Sequence, residues 1–194
     1  MAVVTALRER PRGRVEVELD GSRWRVVPAD AVVRAGLVAG RPLDRETARS
    51  LARELRRAAA LGVAVEALHH RDLSRRRLAE RLERRGARAD ARDEALAALE
   101  RAGLVDDGRF AAGRAQSLAA RGYGDAAIRF DLEREGVPAE AAAEALARLE
   151  PEAERAKEVV SRRGAGVRTA RWLASRGFAA TSVEDALVGF AEEP

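Results

Sequence analysis

Arginine is the residue type of this chain that is best suited, by number and placement, to bind an anionic partner. Of the 36 basic residues only Lys157 is a lysine, and 32 acidic residues leave a net charge of +4. A guanidinium group is a planar fork that matches phosphates and carboxylates, whereas the ammonium group of lysine is a point charge. A GC-rich genome would produce the same preference, so the ratio alone does not establish a binding role.

Two segments concentrate the positive charge. Residues 68–88 contain eight arginines and three acidic residues, and residues 161–176 contain five arginines and no acidic residue. Between them, residues 121–136 contain three arginines and four acidic residues. Two basic segments thus flank one of mixed charge, which favours a polyanionic or acidic partner.

The first basic segment also orders its arginines along a predicted helix. Four of them share one side of that helix, beside a separate apolar side: Arg77, Arg81, Arg84 and Arg88. Such a stripe can contact DNA phosphates or a protein groove lined with carboxylates. The alternative is a solvated helix face whose arginines form weak ion pairs with neighbouring glutamates.

Other polar residues give little support to catalysis or metal binding. Asp106 and Asp107 could together hold a hard cation, but their position before a predicted helix favours a helix cap, which we assign to Asp107. His69 and His70 are adjacent on a predicted helix and point to different sides, which is wrong for a shared metal. The sequence contains no nucleophile beside a base, so we expect neither an enzyme nor a cofactor nor a metal site.

Aromatic residues make up only 4% of the chain, and in an alanine-rich helical bundle we expect them to fill the core. Trp172 is the one for which a second interpretation stays open. It lies between Arg171 and Arg176, where an aromatic ring could stack on an unpaired base.

Three stretches repeat one pattern of elements that would position these arginines. Each has an arginine, a glycine fifteen residues later and a leucine ten residues after the glycine: Arg71, Gly86, Leu96; Arg121, Gly136, Leu146; and Arg162, Gly177, Leu187. Each stretch is predicted to form three helices, the second of which ends at the glycine in a left-handed conformation. Pro138 and Ser182 mark the predicted starts of the third helices in the later repeats. Such units stack, so we predict a mainly α fold of three tandem three-helix repeats in an elongated arc.

The first sixty residues follow a different pattern. Apolar and charged residues alternate on both sides of Asp20-Gly21, which predicts a β-hairpin, and a further strand is expected around residues 3–8. A short helix over residues 29–37 and a longer helix capped by Asp44 are predicted to follow. We therefore predict a small α+β module at residues 1–60 and helical repeats at residues 61–105, 106–151 and 152–194.

The composition excludes several classes of protein. The chain has no cysteine, which rules out disulfides and thiolate metal sites. No run approaches the roughly 18 apolar residues of a membrane span, and the first residues lack the apolar core of a signal peptide. We expect a soluble, cytoplasmic monomer that does not contact membranes.

Taken together, the motifs resemble those of the bacterial RecX regulatory proteins. The resemblance covers roughly residues 64–191 and rests on Leu68-His-His-Arg71-x-x-Ser74 with Leu78, Leu82 and Gly86, then Gly103-Leu-Val-Asp-Asp-Gly-Arg109-Phe-Ala111, then Arg121-Gly-Tyr-Gly124 with Ile128, Leu132 and Gly136-Val137. One departure is Ser74-Arg-Arg-Arg77, where the family usually has Ser-x-x-Glu. The reciprocal carboxylate of a capping box is therefore missing, and the helix start is more basic.

The resemblance implies a function as well as a fold. RecX proteins consist of three tandem three-helix repeats, lie along the groove of the RecA recombinase filament, and restrain its strand-exchange, ATPase and co-protease activities. The resemblance implies that the partners are the RecA filament and DNA, and that the DNA is contacted directly or through the filament. It also implies a role in recombination, DNA repair and the SOS response. The predicted contact residues are Arg71, Arg75, Arg76, Arg77, Arg81, Arg84, Arg85, Arg88, Arg121, Arg162, Arg163, Arg168, Arg171 and Arg176. The alternative is a protein that binds single- or double-stranded DNA directly, without RecA.

Overall fold

A computed structural model describes the backbone of residues 2–192 and the side chains of residues 2–189. Within this range the chain forms three β-strands and ten α-helices, so the predicted mainly α class with a small N-terminal sheet is confirmed. The described residues form two compact units. The first unit holds the residues up to 71 together with residues 78–102, and the second unit holds residues 72–77 together with those after 102.

The first unit begins with an antiparallel sheet in the order β1-β2-β3, formed by Val4–Arg10, Arg14–Leu19 and Ser22–Pro28. Asp20 and Gly21 join β2 to β3 with φ angles of 49° and 79°, the left-handed conformation that a two-residue hairpin turn requires. The predicted hairpin and third strand are thereby confirmed. The apolar side of the sheet packs on helix α1 (Ala29–Arg34), where Val17, Val27 and Val32 share one core.

One continuous helix, α2 (Arg45–His70), follows in this unit. Its first turn is capped as predicted, because the Asp44 side chain accepts a hydrogen bond from the backbone N–H of Thr47 at 2.7 Å. The proposed boundary between residues 60 and 61 lies inside α2, since Gly62 does not take the positive φ that would end a helix. The division of the chain into a module and three repeats at those boundaries stays a prediction.

Three groups of three helices make up the repeats. They are the second half of α2 with α3 (Arg75–Arg84) and α4 (Ala89–Arg101); α5 (Asp107–Ala120), α6 (Asp125–Glu135) and α7 (Ala139–Ala147); and α8 (Glu152–Arg163), α9 (Val167–Ser175) and α10 (Ala180–Glu192). In each group the first helix packs against the third. Gly86, Gly136 and Gly177 follow the second helices with φ angles of 78°, 79° and 81°, which confirms their predicted left-handed conformation.

Several helix starts differ by a few residues from their predicted positions. Asp106, rather than Asp107, caps α5 by accepting a hydrogen bond from the Arg109 N–H at 2.9 Å. Pro138 precedes α7 instead of being its first residue, and Ser182 lies inside α10. The Ser182 hydroxyl donates a hydrogen bond to Glu152. Glu152 is distant in sequence, so a local sequence pattern could not reveal this contact.

A paired arginine and aspartate connect α5 to α6 in the second unit. Arg114 donates hydrogen bonds from Nε and Nη2 to the two carboxylate oxygens of Asp131, at 2.8 and 3.2 Å. These hydrogen bonds hold the pKa of Asp131 below its ordinary value and raise the pKa of Arg114. A carboxyl group with a lowered pKa in the fold stabilises the protein above its unfolded pKa, and this contribution is lost as the pH falls through the folded pKa.

We therefore expect Asp131→Asn to lower the free energy of unfolding by about 1 kcal/mol at neutral pH, a value limited by solvent screening of the half-exposed arginine. Because this contribution is lost as the pH falls through the lowered folded pKa of Asp131, the difference between the two proteins should be smaller near pH 2 than at neutral pH. Urea unfolding of both proteins at the two pH values measures this difference in the free energy of unfolding. A difference of equal size at both pH values would contradict this interpretation of the pair.

Candidate binding surfaces

The arginines at the start of α3 make hydrogen bonds to the end of α6. Arg76 Nη2 donates to the Arg134 carbonyl at 2.5 Å, and Arg77 Nη2 donates to the same carbonyl at 3.0 Å. Arg77 Nε also donates to the Glu135 carboxylate at 3.0 Å. The last carbonyls of a helix have no partner within it and carry a partial negative charge, so arginine side chains satisfy them well. These two arginines therefore stabilise the fold of the second unit.

The predicted stripe on α3 is only partly realised. The helix ends at Arg84, and Arg88 lies beyond it as the residue preceding α4, with its Nε 3.7 Å from Asp90. Arg81 is half-buried, and its Nε has no hydrogen-bond partner among the described residues. Arg84 and Arg85 are exposed and form no ion pair within the part of the chain that the structure describes.

The remaining predicted contact residues of the two basic segments lie at helix ends or on helix surfaces, and all of them except the half-buried Arg176 are exposed. Arg71 is the C-cap residue of α2, and Arg75 is the first residue of α3. The backbone N–H of Arg75 donates a hydrogen bond to Asp107 at 2.7 Å, which explains why Asp107 does not cap α5. Arg162 pairs with Glu158 one turn earlier in α8. The binding role assigned to these residues stays a prediction.

A second group of arginines in the second unit lies against aromatic rings. We call it the stacked cluster, and it consists of Arg121, Tyr123, Arg163, Trp172 and Arg176. The guanidinium carbons of Arg163 and Arg176 lie 4.5 and 5.0 Å from the centre of the Trp172 ring. Those of Arg176 and Arg121 lie 4.7 and 5.5 Å from the centre of the Tyr123 ring. Each such contact stabilises the arginine position by roughly 0.5–1 kcal/mol at an exposed site.

Two close turns bring the stacked cluster together. One turn joins α5 to α6 and contains Tyr123 and Gly124, and the other joins α9 to α10 and contains Arg176 and Gly177. The Gly124 N–H donates a hydrogen bond to the Arg176 carbonyl at 2.9 Å. This backbone contact places the Arg176 side chain between the two half-buried rings.

The arginines of the stacked cluster keep their charge available for a partner. Within the described part of the chain, Arg121, Arg163 and Arg176 have no carboxylate oxygen within 4.0 Å and donate no side-chain hydrogen bond. The neighbouring Arg168 and Arg171 on α9 are likewise exposed and have no such partner among the described residues. Stacking leaves the N–H edges of a guanidinium group free to form hydrogen bonds with phosphates or carboxylates.

The sequence indicated part of this cluster. Trp172 was singled out for its arginine neighbours in the chain, and the structure stacks it against Arg163 and Arg176 rather than Arg171. The contact of Arg176 with both Trp172 and Tyr123 could not be predicted, because the two rings are far apart in sequence. The expectation that aromatic residues fill the core is wrong for Phe130, which is 66% exposed on α6.

The histidines, the acidic residues and the long helices are the features that bear on metal binding or membrane insertion. His69 and His70 form the end of α2 with their rings 5.7 Å apart, edge to face. Among the described side chains, those of residues 2–189, no group of three or more histidine, aspartate or glutamate residues could hold a metal. None of the helices described is long and apolar enough to cross a bilayer.

The sequence matches place the chain among known proteins. A family model for the second three-helix domain of RecX matches residues 106–146. A regulatory protein RecX of Xanthomonas oryzae pv. oryzae is 34% identical over 137 residues, which are 66% of this chain and 83% of that protein. A regulatory protein RecX of Halorhodospira halophila is 36% identical over 140 residues, or 67% of this chain and 87% of that protein.

Solved structures show the same fold. A crystal structure of regulatory protein RecX matches with a TM-score of 0.82 at 21% identity, covering 95% of this chain and 98% of that one. RecX from Lactobacillus salivarius matches with a TM-score of 0.62 at 16% identity, covering 70% of this chain and 97% of that one. The structures establish the fold, and the more similar sequences establish the relationship. The chain belongs to the RecX family of regulatory proteins.

Proposed function

We propose that the chain regulates RecA by binding the RecA filament on DNA and restraining its ATPase, strand-exchange and co-protease activities. Family membership supports RecA as the partner. The stacked cluster supports an anionic surface as the target, because its arginines are held in place and lack carboxylate partners in the described structure. A nucleoprotein filament offers both DNA phosphates and protein carboxylates, and a guanidinium fork can bind either group.

The stacked cluster is the observation that carries the proposal. An arginine on a flexible surface loses side-chain conformational entropy when it binds, at roughly 0.5–1.5 kcal/mol for each immobilised side chain. Arg163 and Arg176 lie on Trp172 before any partner arrives, so part of this cost is met during folding. A preorganised pair of cations therefore supports stronger binding than the same charges would on an ordinary helix face.

A binding measurement with a double variant tests the role of the stacked cluster. We expect Arg121→Gln with Arg163→Gln to weaken binding to RecA-coated DNA by about tenfold to a hundredfold, or about 1.4–2.8 kcal/mol. Both residues are exposed, so the fold should be kept. If the arginines contact phosphates directly, the slope of log affinity against log salt should also fall by about 1.5–2.

The matched control removes two arginines elsewhere in the second unit. Arg129→Gln with Arg148→Gln changes the net charge equally, and both residues are exposed outside the stacked cluster. This variant should bind within about twofold of the wild type, since a general loss of charge acts weakly through solvent. Equal losses in the two double variants would show that only net charge matters and would exclude a specific role of the cluster.

Direct binding to DNA without RecA is the second candidate. The composition of residues 161–176 favours direct DNA binding. This segment contains five arginines and no acidic residue that could compete with phosphates for them. A filament regulator should bind RecA-coated DNA far more strongly than bare DNA. A direct DNA-binding protein should prefer bare DNA and show a steep decrease in affinity with salt.

A further inference from the structure

An apolar groove in the first unit lies between the edge strand β3 and helix α2. Its volume is about 410 Å³. Trp24 and Arg25 form one side, and residues of α2 and the preceding loop form the other: Leu43, Ala48, Leu51, Ala52, Leu55, Arg56 and Ala59. The apolar residues of α2 recur every three or four positions and therefore follow one side of the helix for about 16 Å, or three turns.

Trp24 is the most unusual residue of this groove. It lines the groove beside α2, and 44% of its surface is exposed although tryptophan is strongly apolar. Tryptophan is enriched among the residues that dominate binding energy at protein interfaces, where it fills a pocket on the partner or completes one. The exposed ring beside small alanine side chains leaves space that an apolar side chain of a partner would fill.

The charge around the groove is positive. Arg25 and Arg56 line it, and none of the acidic residues in the described part of the chain does so. Arg25 is exposed and forms no ion pair or side-chain hydrogen bond with any described residue. Arg56 has its Nη2 3.9 Å from Asp90, and its buried Nε has no acceptor in the described part of the chain. An apolar surface bordered by such cations complements a segment that carries carboxylates beside its apolar residues.

We propose that this groove binds an acidic amphipathic helical segment of a partner protein. Apolar side chains of the segment pack along α2 against Trp24, and its carboxylates pair with Arg25 and Arg56. The apolar stripe of α2 is long enough to contact about three turns of a partner helix. An amphipathic helix commonly binds such a groove through its apolar face. This surface lies outside the stacked cluster, so it gives the protein a second binding site whose partner is a protein segment.

Synthetic peptides test the proposal without RecA or DNA. Three fluorescent peptides of about 14 residues would carry leucines at the same helical positions, with glutamate, glutamine or lysine at the remaining ones. Anisotropy with the full chain, at peptide concentrations where the peptides are monomeric, should show that the glutamate peptide binds best and the lysine peptide not at all. Trp24→Ala and Arg25→Glu should each weaken binding of the glutamate peptide by about tenfold.

Arg41→Glu is the matched control, because Arg41 is an exposed arginine of the same unit that does not line the groove. It should leave the affinity of the glutamate peptide unchanged within about twofold. Circular dichroism would establish that all three variants keep their helical content. The proposal would be overturned if the glutamate peptide did not bind or if the lysine peptide bound equally well. It would also be overturned if Arg25→Glu and Arg41→Glu lowered the affinity for the glutamate peptide equally. None of these outcomes bears on the proposed regulation of RecA.

Discussion

Replacing Gly124 by alanine is expected to destabilise the second unit by about 3 kcal/mol, the upper part of the range for overpacking. A Cβ atom at this position would overlap the backbone atoms of Gly177 and the N of Phe178. Because these are backbone atoms, no side-chain rotation can relieve the overlap. The turns must separate, which would also break the hydrogen bonds from Gly124 N–H to Arg176 and from Ala126 N–H to Gly177, at 2.9 and 3.2 Å.

The control is a glycine-to-alanine change without this overlap. Gly113 lies in α5, is exposed, and would have no atom within 4 Å of an added Cβ. Gly113→Ala should therefore raise the free energy of unfolding, by up to about 1 kcal/mol, since alanine favours a helix more than glycine does. Urea unfolding followed by circular dichroism compares the two variants. A small or stabilising effect of Gly124→Ala would show that the two turns are not in close contact.

The Gly124 variant also has a functional consequence. The contact of the two turns holds Arg176 between the Tyr123 and Trp172 rings, at 4.7 and 5.0 Å from their centres. Separating the turns should therefore weaken binding to RecA-coated DNA even at temperatures where Gly124→Ala remains folded. Gly113→Ala should leave binding unchanged.

Arg155→Ala is expected to cost about 3 kcal/mol of unfolding free energy. Arg155 is only 8% exposed. Its Nε and Nη1 donate hydrogen bonds to the carbonyls of Glu150 and Tyr123, both at 2.9 Å, and its Nη2 pairs with Asp125. The guanidinium group also lies 5.8 Å from the centre of the Phe178 ring. Alanine would leave two carbonyls and a carboxylate without their donors, and it would open a space beside the ring.

The matched control for this variant lies on the same helix. Arg162 of α8 is exposed and pairs with Glu158 at the surface, so Arg162→Ala should cost less than about 0.5 kcal/mol. Arg155→Lys should be intermediate, because it keeps the charge and loses the fork that reaches three acceptors. Unfolding by urea gives all three values. Similar costs for Arg155→Ala and Arg162→Ala would contradict the structural role of Arg155.

The sequence was informative for several features that depend on neighbouring residues. Asp20-Gly21 predicted the hairpin because only few residue pairs readily take two left-handed conformations in succession. Asp44 predicted the start of α2, and Gly136 predicted the end of α6, for equally local reasons. The spacing of arginine, glycine and leucine likewise predicted that the helices recur in groups of three.

Contacts between distant residues could not be predicted in this way. The missing carboxylate after Ser74 pointed to a poorly capped α3, yet Asp107 accepts a hydrogen bond from Arg75 N–H across 32 residues. Glu152 accepts hydrogen bonds from the N–H groups of Asp125 and Ala179, and so connects the starts of two helices. Neither contact leaves a periodic pattern in the sequence, because each depends on how the helices pack.

The same limit applies to the candidate site. The charge count identified residues 161–176 as a basic segment, and the structure shows which of its arginines stack on aromatic rings. The count also included Arg76 and Arg77, whose guanidinium groups bind the end of α6. A count of charges cannot separate arginines that stabilise a helix end from those that face solvent.

The DNA-dependent ATPase rate of the cognate RecA, measured while this protein is titrated in, tests the proposed regulation most directly. DNA in excess excludes simple competition for binding sites on the lattice. The proposal predicts inhibition at well below one protein per RecA, and the Arg121→Gln, Arg163→Gln variant should require about tenfold more protein for the same inhibition. An unchanged ATPase rate at saturating protein would contradict the proposal and favour direct binding to DNA.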